Sequence, residues 1–111
     1  MEPAAQHQSE LERLIQEFLE HLEVERNVSP LTVRNYSHYL RRFAKWMKVQ
    51  KRENLSDITQ EMVRQYRLYL SRLPARPAGG EYGKGSVLSR KTQGYHIIAL
   101  RSLLKWLIRN D

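Results

Sequence analysis

Apolar residues in this chain recur every three or four positions, and this spacing constrains the fold more than any other feature of the sequence. Such spacing places the apolar side chains along one side of an α-helix. Four segments show it, at about residues 10–25, 30–49, 60–73 and 90–109. No segment has the alternation of apolar and polar residues that is typical of a strand. We therefore predict an all-α fold in which the four helices share one core within a single domain.

The ends of these segments carry residues that favour helix boundaries. Serine and threonine are preferred N-caps because the side-chain oxygen accepts a hydrogen bond from a free N–H of the first turn. One of them precedes each predicted helix: Ser9, Ser29, Thr59 and Ser89. Pro30 occupies the first helical position after Ser29, where its missing N–H has no partner to lose. The Pro- and Gly-rich stretch at 74–87 predicts a surface loop before the fourth helix.

The second segment carries two parallel rows of side chains. An apolar row predicts the side that faces the core: Val33, Tyr36, Leu40, Phe43 and Met47. A basic row follows the same helical steps on a different side: Arg34, His38, Arg41, Lys45 and Lys48. Arg42 widens this basic row. A solvated charged helix face usually mixes acids and bases, but no acid occurs between Arg34 and Arg52.

Charge is divided unevenly along the chain. The formal net charge is +7, composed of −6 in residues 1–25 and +13 in residues 26–111. A strongly basic surface favours a polyanion such as nucleic acid as a partner, and the alternative is a basic surface that is merely solvated. The chain has no basic and apolar leader and no apolar run near the length of a membrane span. We expect a soluble, cytoplasmic protein that does not bind membranes.

The fourth segment changes character along its length. Its first turns are polar and are expected to project from the core: Arg90, Lys91, Thr92, Gln93 and His96. Its remainder is apolar on most sides and is expected to be buried: Ile97, Ile98, Leu100, Leu103, Leu104, Trp106, Leu107 and Ile108. The free N–H groups of a helix N-terminus suit a phosphate or a base edge. Gly94 either permits a close approach of another group to the backbone or simply weakens the helix.

Sites for chemistry are not evident in the sequence. The chain lacks cysteine, and its four histidines show no zinc-binding spacing. The glycines at 79–85 do not fit the phosphate-binding loop pattern. Among the six tyrosines, the sequence indicates no activated nucleophile with a base beside it. We therefore predict no catalytic residue, metal site, cofactor or small-molecule substrate for this chain.

A resemblance to a known family rests on four groups of residues in order. The first is Ser29-Pro30-Leu31-Thr32 with Tyr36, Leu40, Phe43 and Trp46. The second is Asp57-Ile58-Thr59, the third is Leu88-Ser89 with Thr92, and the fourth is Ala99-Leu100-Arg101-Ser102 with Trp106-Leu107. Together they resemble the N-terminal core-binding domain of tyrosine recombinases of the phage-integrase and Xer type. The resemblance extends over residues 11–108.

This resemblance implies a SAM-like, orthogonal bundle of four helices that places its second and fourth helices in the major groove of duplex DNA. It assigns DNA contacts in the second helix to Thr32, Arg34, Asn35, His38 and Arg41, and in the fourth to Lys91, Thr92, Gln93 and Arg101. The charge pattern adds Arg42, Lys45, Arg90, His96 and, from the loop, Lys84. The family often has arginine where this chain has Tyr95 and His96.

Residue chemistry gives separate expectations for three of these contacts. Asn35 and Gln93 can each pair with adenine through two hydrogen bonds. For Asn35 the alternative is a solvated helix residue. Thr32 either contacts a phosphate or makes a secondary cap contact near Ser29.

The resemblance also implies a larger protein. Residues 1–111 would form its core-binding domain, and a downstream catalytic domain would break and rejoin DNA strands through a phosphotyrosine during integration and recombination. The string His38-Tyr39-Leu40-Arg41 matches part of that catalytic motif by coincidence only. Other recombinase subunits are expected as partners, with the acidic first helix as a contact. The alternatives are a free-standing regulator or protein-binding adaptor and, less favoured, an amphipathic binder of membrane surfaces.

Overall fold

A computed structural model describes residues 8–74 and 87–109 of the chain. Within these ranges the chain folds into four α-helices, with no strand: α1 (Glu10–Val24), α2 (Pro30–Val49), α3 (Gln60–Ser71) and α4 (Arg90–Arg109). A short 3₁₀ turn, Leu55–Asp57, lies between α2 and α3. The predicted all-α class is confirmed. The predicted first and third helices were one and two residues too long at their C-terminal ends.

The predicted N-caps form as the sequence indicates. Ser9 and Glu12 make a reciprocal capping box: the Glu12 N–H donates to Ser9 Oγ at 3.1 Å, and the Ser9 N–H donates to Glu12 Oε1 at 2.9 Å. Thr59 Oγ1 accepts from the Met62 N–H at 3.1 Å. Ser29 and Ser89 each accept the N–H of the residue three positions on. Free N–H groups at the start of every helix therefore find a local acceptor.

The core forms where the apolar rows of all four helices meet. Ile15, Leu40, Tyr66, Leu70 and Leu103 are completely shielded from solvent. Burial of such side chains is the main favourable contribution to folding, at about 25 cal/mol per Å² of apolar surface. The apolar row predicted for α2 is confirmed, because Leu40, Phe43 and Met47 are buried and Val33 and Tyr36 pack against the core.

Two links between helices are held by backbone hydrogen bonds. Asn27 follows α1 with φ 52°, a left-handed conformation that asparagine tolerates better than most residues. The Val28 N–H then donates to the Leu22 carbonyl at 3.0 Å and turns the chain into α2. Near the start of α1, the Leu11 N–H donates to the Glu53 carbonyl at 3.0 Å. The first bond fixes the link from α1 to α2, and the second fixes α1 against the segment that joins α2 to α3.

Helices α2 and α4 pack against each other in opposite directions. The start of α2, at Thr32 and Tyr36, lies beside the end of α4, at Ser102 and Trp106. The middle of α2 contacts the first half of α4, where the rings of Tyr39 and His96 have centroids 4.5 Å apart. Each helix turns its apolar row toward the common core. The exposed side of each helix consequently lies away from the core.

Two isoleucines of α4 contradict the expectation that this segment is buried on most sides. Ile98 is 53% exposed and Ile108 is 78% exposed. The reason is that α2, α3 and the core cover only part of the circumference of α4. The apolar row that is buried consists of Ile97, Ala99, Leu100 and Leu103.

Candidate nucleic-acid interface

The basic row of α2 lies on an exposed side of the helix, next to its buried apolar row. Arg34, His38, Arg41 and Lys45 are all exposed, as the spacing predicts. Asn35 is also exposed, which leaves its amide free to reach a partner outside the chain. Arg41 is held in place on the surface, since its guanidinium donates to Ser37 Oγ and Gln16 Oε1, both at 2.9 Å.

Helix α4 adds a second basic row beside the first. Its exposed cations are Arg90, Lys91, Arg101, Lys105 and Arg109. Sequence reasoning missed Lys105 and Arg109 because the second half of this helix was assigned to the core. A usable signal was present, since Arg90 to Arg109 contains no acid and Arg101, Lys105 and Arg109 are spaced by four.

We call the surface formed by these two rows the basic face. It comprises Arg34, His38, Arg41 and Lys45 of α2 with Lys91, Arg101, Lys105 and Arg109 of α4. Neither helix contains an aspartate or glutamate. The acidic residues lie on α1, which contacts the basic row of α2 through Gln16 and Glu12.

One boundary of the basic face approaches the acids of α1. Lys48, which belongs to the basic row by spacing, lies 3.5 Å from a carboxylate oxygen of Glu12. This contact and the backbone N–H of Ser9 lower the pKa of Glu12, with the backbone hydrogen bond as the larger cause. Lys48 is therefore partly neutralised. The remaining cations of the row have no carboxylate within ion-pairing distance in residues 8–74 and 87–109.

His96 requires a correction of its predicted role. Its side chain is only 1% exposed, so it cannot contact a partner at the surface as the sequence suggested. The ring bridges the two helices: Nδ1 lies 2.8 Å from the Thr92 carbonyl oxygen, and Nε2 lies 3.1 Å from Arg42 Nη1. Because the carbonyl can only accept, Nδ1 carries the proton and Nε2 accepts from the guanidinium. His96 thus holds Arg42 at the junction of α2 and α4.

Burial and neighbouring positive charge keep both histidines of this junction neutral. Burial is the largest cause that lowers the pKa of His96. Electrostatic interactions with Arg42 and His38 lower this pKa further, and the hydrogen bond to Thr92 raises it. Burial followed by the charge of Arg42 also lowers the pKa of His38. At neutral pH the positive charge of this region therefore comes from arginine and lysine.

The polar residues in the first turns of α2 and α4 make local contacts. Thr32 accepts from the Ser29 hydroxyl at 3.0 Å, a secondary contact at the cap of α2. Thr92 makes the same contact with Ser89 at 3.1 Å. Gln93 is half-buried and donates from Nε2 to the Leu88 carbonyl at 2.7 Å. Its amide is therefore occupied by the loop before α4 and is less accessible than that of Asn35.

A groove of about 700 Å³ opens between α2 and α3 at the edge of the basic face. One wall consists of the cations Arg41, Arg42 and Lys45 together with the neutral His38. Its aromatic wall consists of Trp46 and Tyr69, whose ring centroids are 5.9 Å apart. Cations beside aromatic rings suit the phosphates and the apolar sugar and base surfaces of a nucleic acid.

Comparison with known proteins identifies the family. The model of the phage integrase N-terminal SAM-like domain matches residues 15–111. The chain belongs to this family. Tyrosine recombinase XerC of Bacillus pumilus is 32% identical over 100 residues, and tyrosine recombinase XerC of Oceanobacillus iheyensis is 32% identical over 101 residues. These alignments cover 90% and 91% of the chain but only 28% and 29% of the two relatives. No solved structure matches.

The predicted resemblance to the phage-integrase and Xer type is therefore confirmed, and with it the SAM-like class of the fold. In this member of the family, the part of the chain that the structure describes holds no cluster of three or more potential metal ligands. None of its described helices has both the length and the apolar character needed to cross a membrane. Lys84, predicted to touch phosphate, lies outside the described residues.

Proposed function

We propose that this SAM-like domain binds duplex DNA through the basic face and serves as the DNA-binding part of a tyrosine recombinase. One observation carries the proposal: two neighbouring helices present their arginines and lysines on the side away from the core, and neither helix contains an acid. A mixed-sign surface would be expected if these charges only kept the protein in solution. A polyanion matches the charge that is present.

The geometry supports different roles in DNA binding for the cations and for the polar side chains. Arginine and lysine neutralise phosphates, which sets the affinity and its dependence on salt but carries no sequence information. Asn35 follows Arg34 on α2 and is exposed, and asparagine can pair with adenine through two hydrogen bonds in the major groove. We assign base reading in α2 to Asn35 and phosphate binding to Arg34, Arg41 and Lys45. The major groove of B-DNA, about 12 Å across, is wide enough for an α-helix to enter.

The proposed role of the whole protein rests on its relatives. The curated relatives are named tyrosine recombinases, and this chain spans less than a third of their length. We infer that a catalytic part lies outside residues 1–111 and breaks and rejoins DNA strands, while the domain described here holds the DNA. The exposed acids of α1 are available to contact a neighbouring recombinase subunit when several subunits assemble on DNA.

The test is the salt dependence of DNA binding by a triple variant, Arg34→Gln, Arg41→Gln and Lys45→Gln. Each lost phosphate contact removes about 0.9 from the slope of log affinity against log salt, so three contacts remove about 2.7. Near 0.1 M salt this corresponds to roughly a five-hundredfold loss of affinity. Fluorescence anisotropy with a labelled mixed-sequence duplex measures both quantities.

A matched control separates this effect from a change in overall charge. Arg13→Gln, Arg64→Gln and Arg72→Gln remove the same three charges from exposed positions outside α2 and α4. The control is expected to retain most of the wild-type slope. Equal losses in both folded variants, or wild-type binding by the first, would contradict the basic face as the DNA site and favour a protein-binding adaptor.

A further inference from the structure

A hollow of about 320 Å³ between α3 and α4 is lined by three arginines from two helices. Arg67 comes from α3, and Arg90 and Arg101 come from α4. The hollow lies beside the basic face and shares Arg101 with it. Leu70 and Ile97, both buried, also line it. Neither the prediction from sequence nor the proposed function assigns a role to Arg67 or to this hollow.

The three guanidinium groups have no counter-charge in the described structure. No carboxylate of residues 8–74 or 87–109 forms an ion pair with any of them. Arg64, one turn before Arg67, shows the contrast, because it donates two hydrogen bonds to the Glu61 carboxylate at 2.9 and 2.6 Å. Three like charges around one hollow repel one another until an anion lies between them. Arginine suits phosphate in particular, since its planar group can donate two parallel hydrogen bonds.

Gly94 keeps the hollow open. It lines the hollow between Arg90 and Arg101 on the same side of α4. A Cβ atom built at this position meets no atom within 4 Å, so the helix packing itself does not require glycine here. Glycine inside a helix costs about 1 kcal/mol relative to alanine. A side chain at 94 would project into the space that the arginines surround.

We propose that this hollow binds one phosphodiester of the DNA strand beside the groove that α2 and α4 enter. Arg67, Arg90 and Arg101 would bind the phosphate, and the exposed apolar side chain of Ile98, which also lines the hollow, suits the adjoining deoxyribose. The hollow has the volume of about ten water molecules, which is sufficient for a phosphate and part of a sugar. The inference rests on the proposed function and extends the DNA contact to a third helix.

The test compares Arg67→Gln with Arg64→Gln in the same anisotropy assay. Loss of a whole phosphate contact lowers the salt slope by about 0.9. Arg67→Gln removes one of three arginines at that phosphate, so it should lower the slope by up to that value and weaken binding by up to about eightfold near 0.1 M salt. Arg64→Gln removes the same charge from the same helix, but its guanidinium is already paired with Glu61, and its slope should stay at the wild-type value. Equal slopes for the two variants would overturn the proposal.

A second variant tests the hollow without changing charge. Gly94→Leu should fill it and weaken DNA binding, while thermal unfolding by circular dichroism shows a helix at least as stable as in the wild type. Wild-type DNA affinity in that folded variant would overturn the proposal. A third result would also overturn the proposal: inorganic phosphate alone changes chemical shifts around the hollow, but Arg67→Gln leaves DNA binding intact. The hollow would then bind a free anion and not DNA.

These outcomes are separable from failure of the proposed function. If the triple variant of α2 loses DNA affinity but Arg67→Gln and Gly94→Leu do not, the basic face stands and the hollow does not bind DNA. If the triple variant binds as tightly as the wild type, the basic face and the hollow beside it both fail as DNA sites.

Discussion

The free energy of unfolding should decrease on mild acidification because the neutral imidazole of His96 is buried. The imidazole is buried between two helices and accepts a hydrogen bond from Arg42. Protonation of Nε2 would remove that acceptor and place a positive charge against the guanidinium. His38 also faces this ring from α2, with ring centroids 6.3 Å apart, and Tyr39 packs at 4.5 Å. No carboxylate among the described residues is hydrogen-bonded to the imidazole. The structure therefore lowers the pKa of His96 below its ordinary value near 6.5.

The sign and size of the effect follow from proton linkage. Below about pH 6.5 the unfolded chain binds a proton at residue 96 that the folded chain does not, so the free energy of unfolding decreases as pH falls. The decrease approaches about 1.4 kcal/mol per pH unit and stops once pH falls below the pKa of the folded state. His96→Gln removes this titration and keeps an oxygen that can accept from Arg42.

Urea denaturation followed by circular dichroism between neutral and mildly acidic pH measures the difference. All other titratable groups are the same in both proteins, so the comparison between wild type and His96→Gln isolates residue 96. The wild type should lose stability more steeply than the variant below pH 6.5. Parallel curves, or a wild type that loses less than the variant, would refute the assignment of a neutral, bridging His96.

Three further predictions concern stability in urea denaturation at neutral pH. Ser9→Ala should cost about 1 kcal/mol because it breaks the capping box of α1, and a change near zero would show that the cap is not needed. Tyr66→Phe should leave stability unchanged or raise it, because the buried hydroxyl has no hydrogen-bond partner in the described structure, whereas a loss above about 1 kcal/mol would reveal one. Leu103→Ala should cost roughly 2–5 kcal/mol, since this side chain is completely buried, and a loss below 1 kcal/mol would contradict its place in the core.

Much of the fold could be predicted because the deciding signals are local. The three- and four-residue spacing of apolar side chains determines which side of each helix faces the core, and capping residues determine where helices start. Both signals lie within one or two turns of the chain. The row of Leu40, Phe43 and Met47 and the cap at Ser29 illustrate this, since neither depends on which helix is the neighbour.

What could not be predicted depends on how the helices pack. The sequence predicts that His96 is exposed with the other polar residues of the first turns. In the fold, α2 covers that side of α4, and Arg42 donates a hydrogen bond to the ring inside the protein. Ile98 reads as a core residue, but it lies on the side of α4 that no helix covers. The hollow at Arg67 requires α3 and α4 to be adjacent, and the spacing within either helix alone contains no such information.

The central claim is that DNA contacts the side of α2 and α4 that faces away from the core. The most direct measurement is an amide NMR titration of the 111-residue chain with a mixed-sequence duplex. Changes should concentrate at the exposed positions of α2 and α4, from Arg34 to Lys45 and from Lys91 to Arg109, and diminish as salt is added. The acidic positions of α1, such as Glu17 and Glu20, should stay unchanged. Changes centred on α1, or none on α2 and α4 despite measurable binding, would contradict the account.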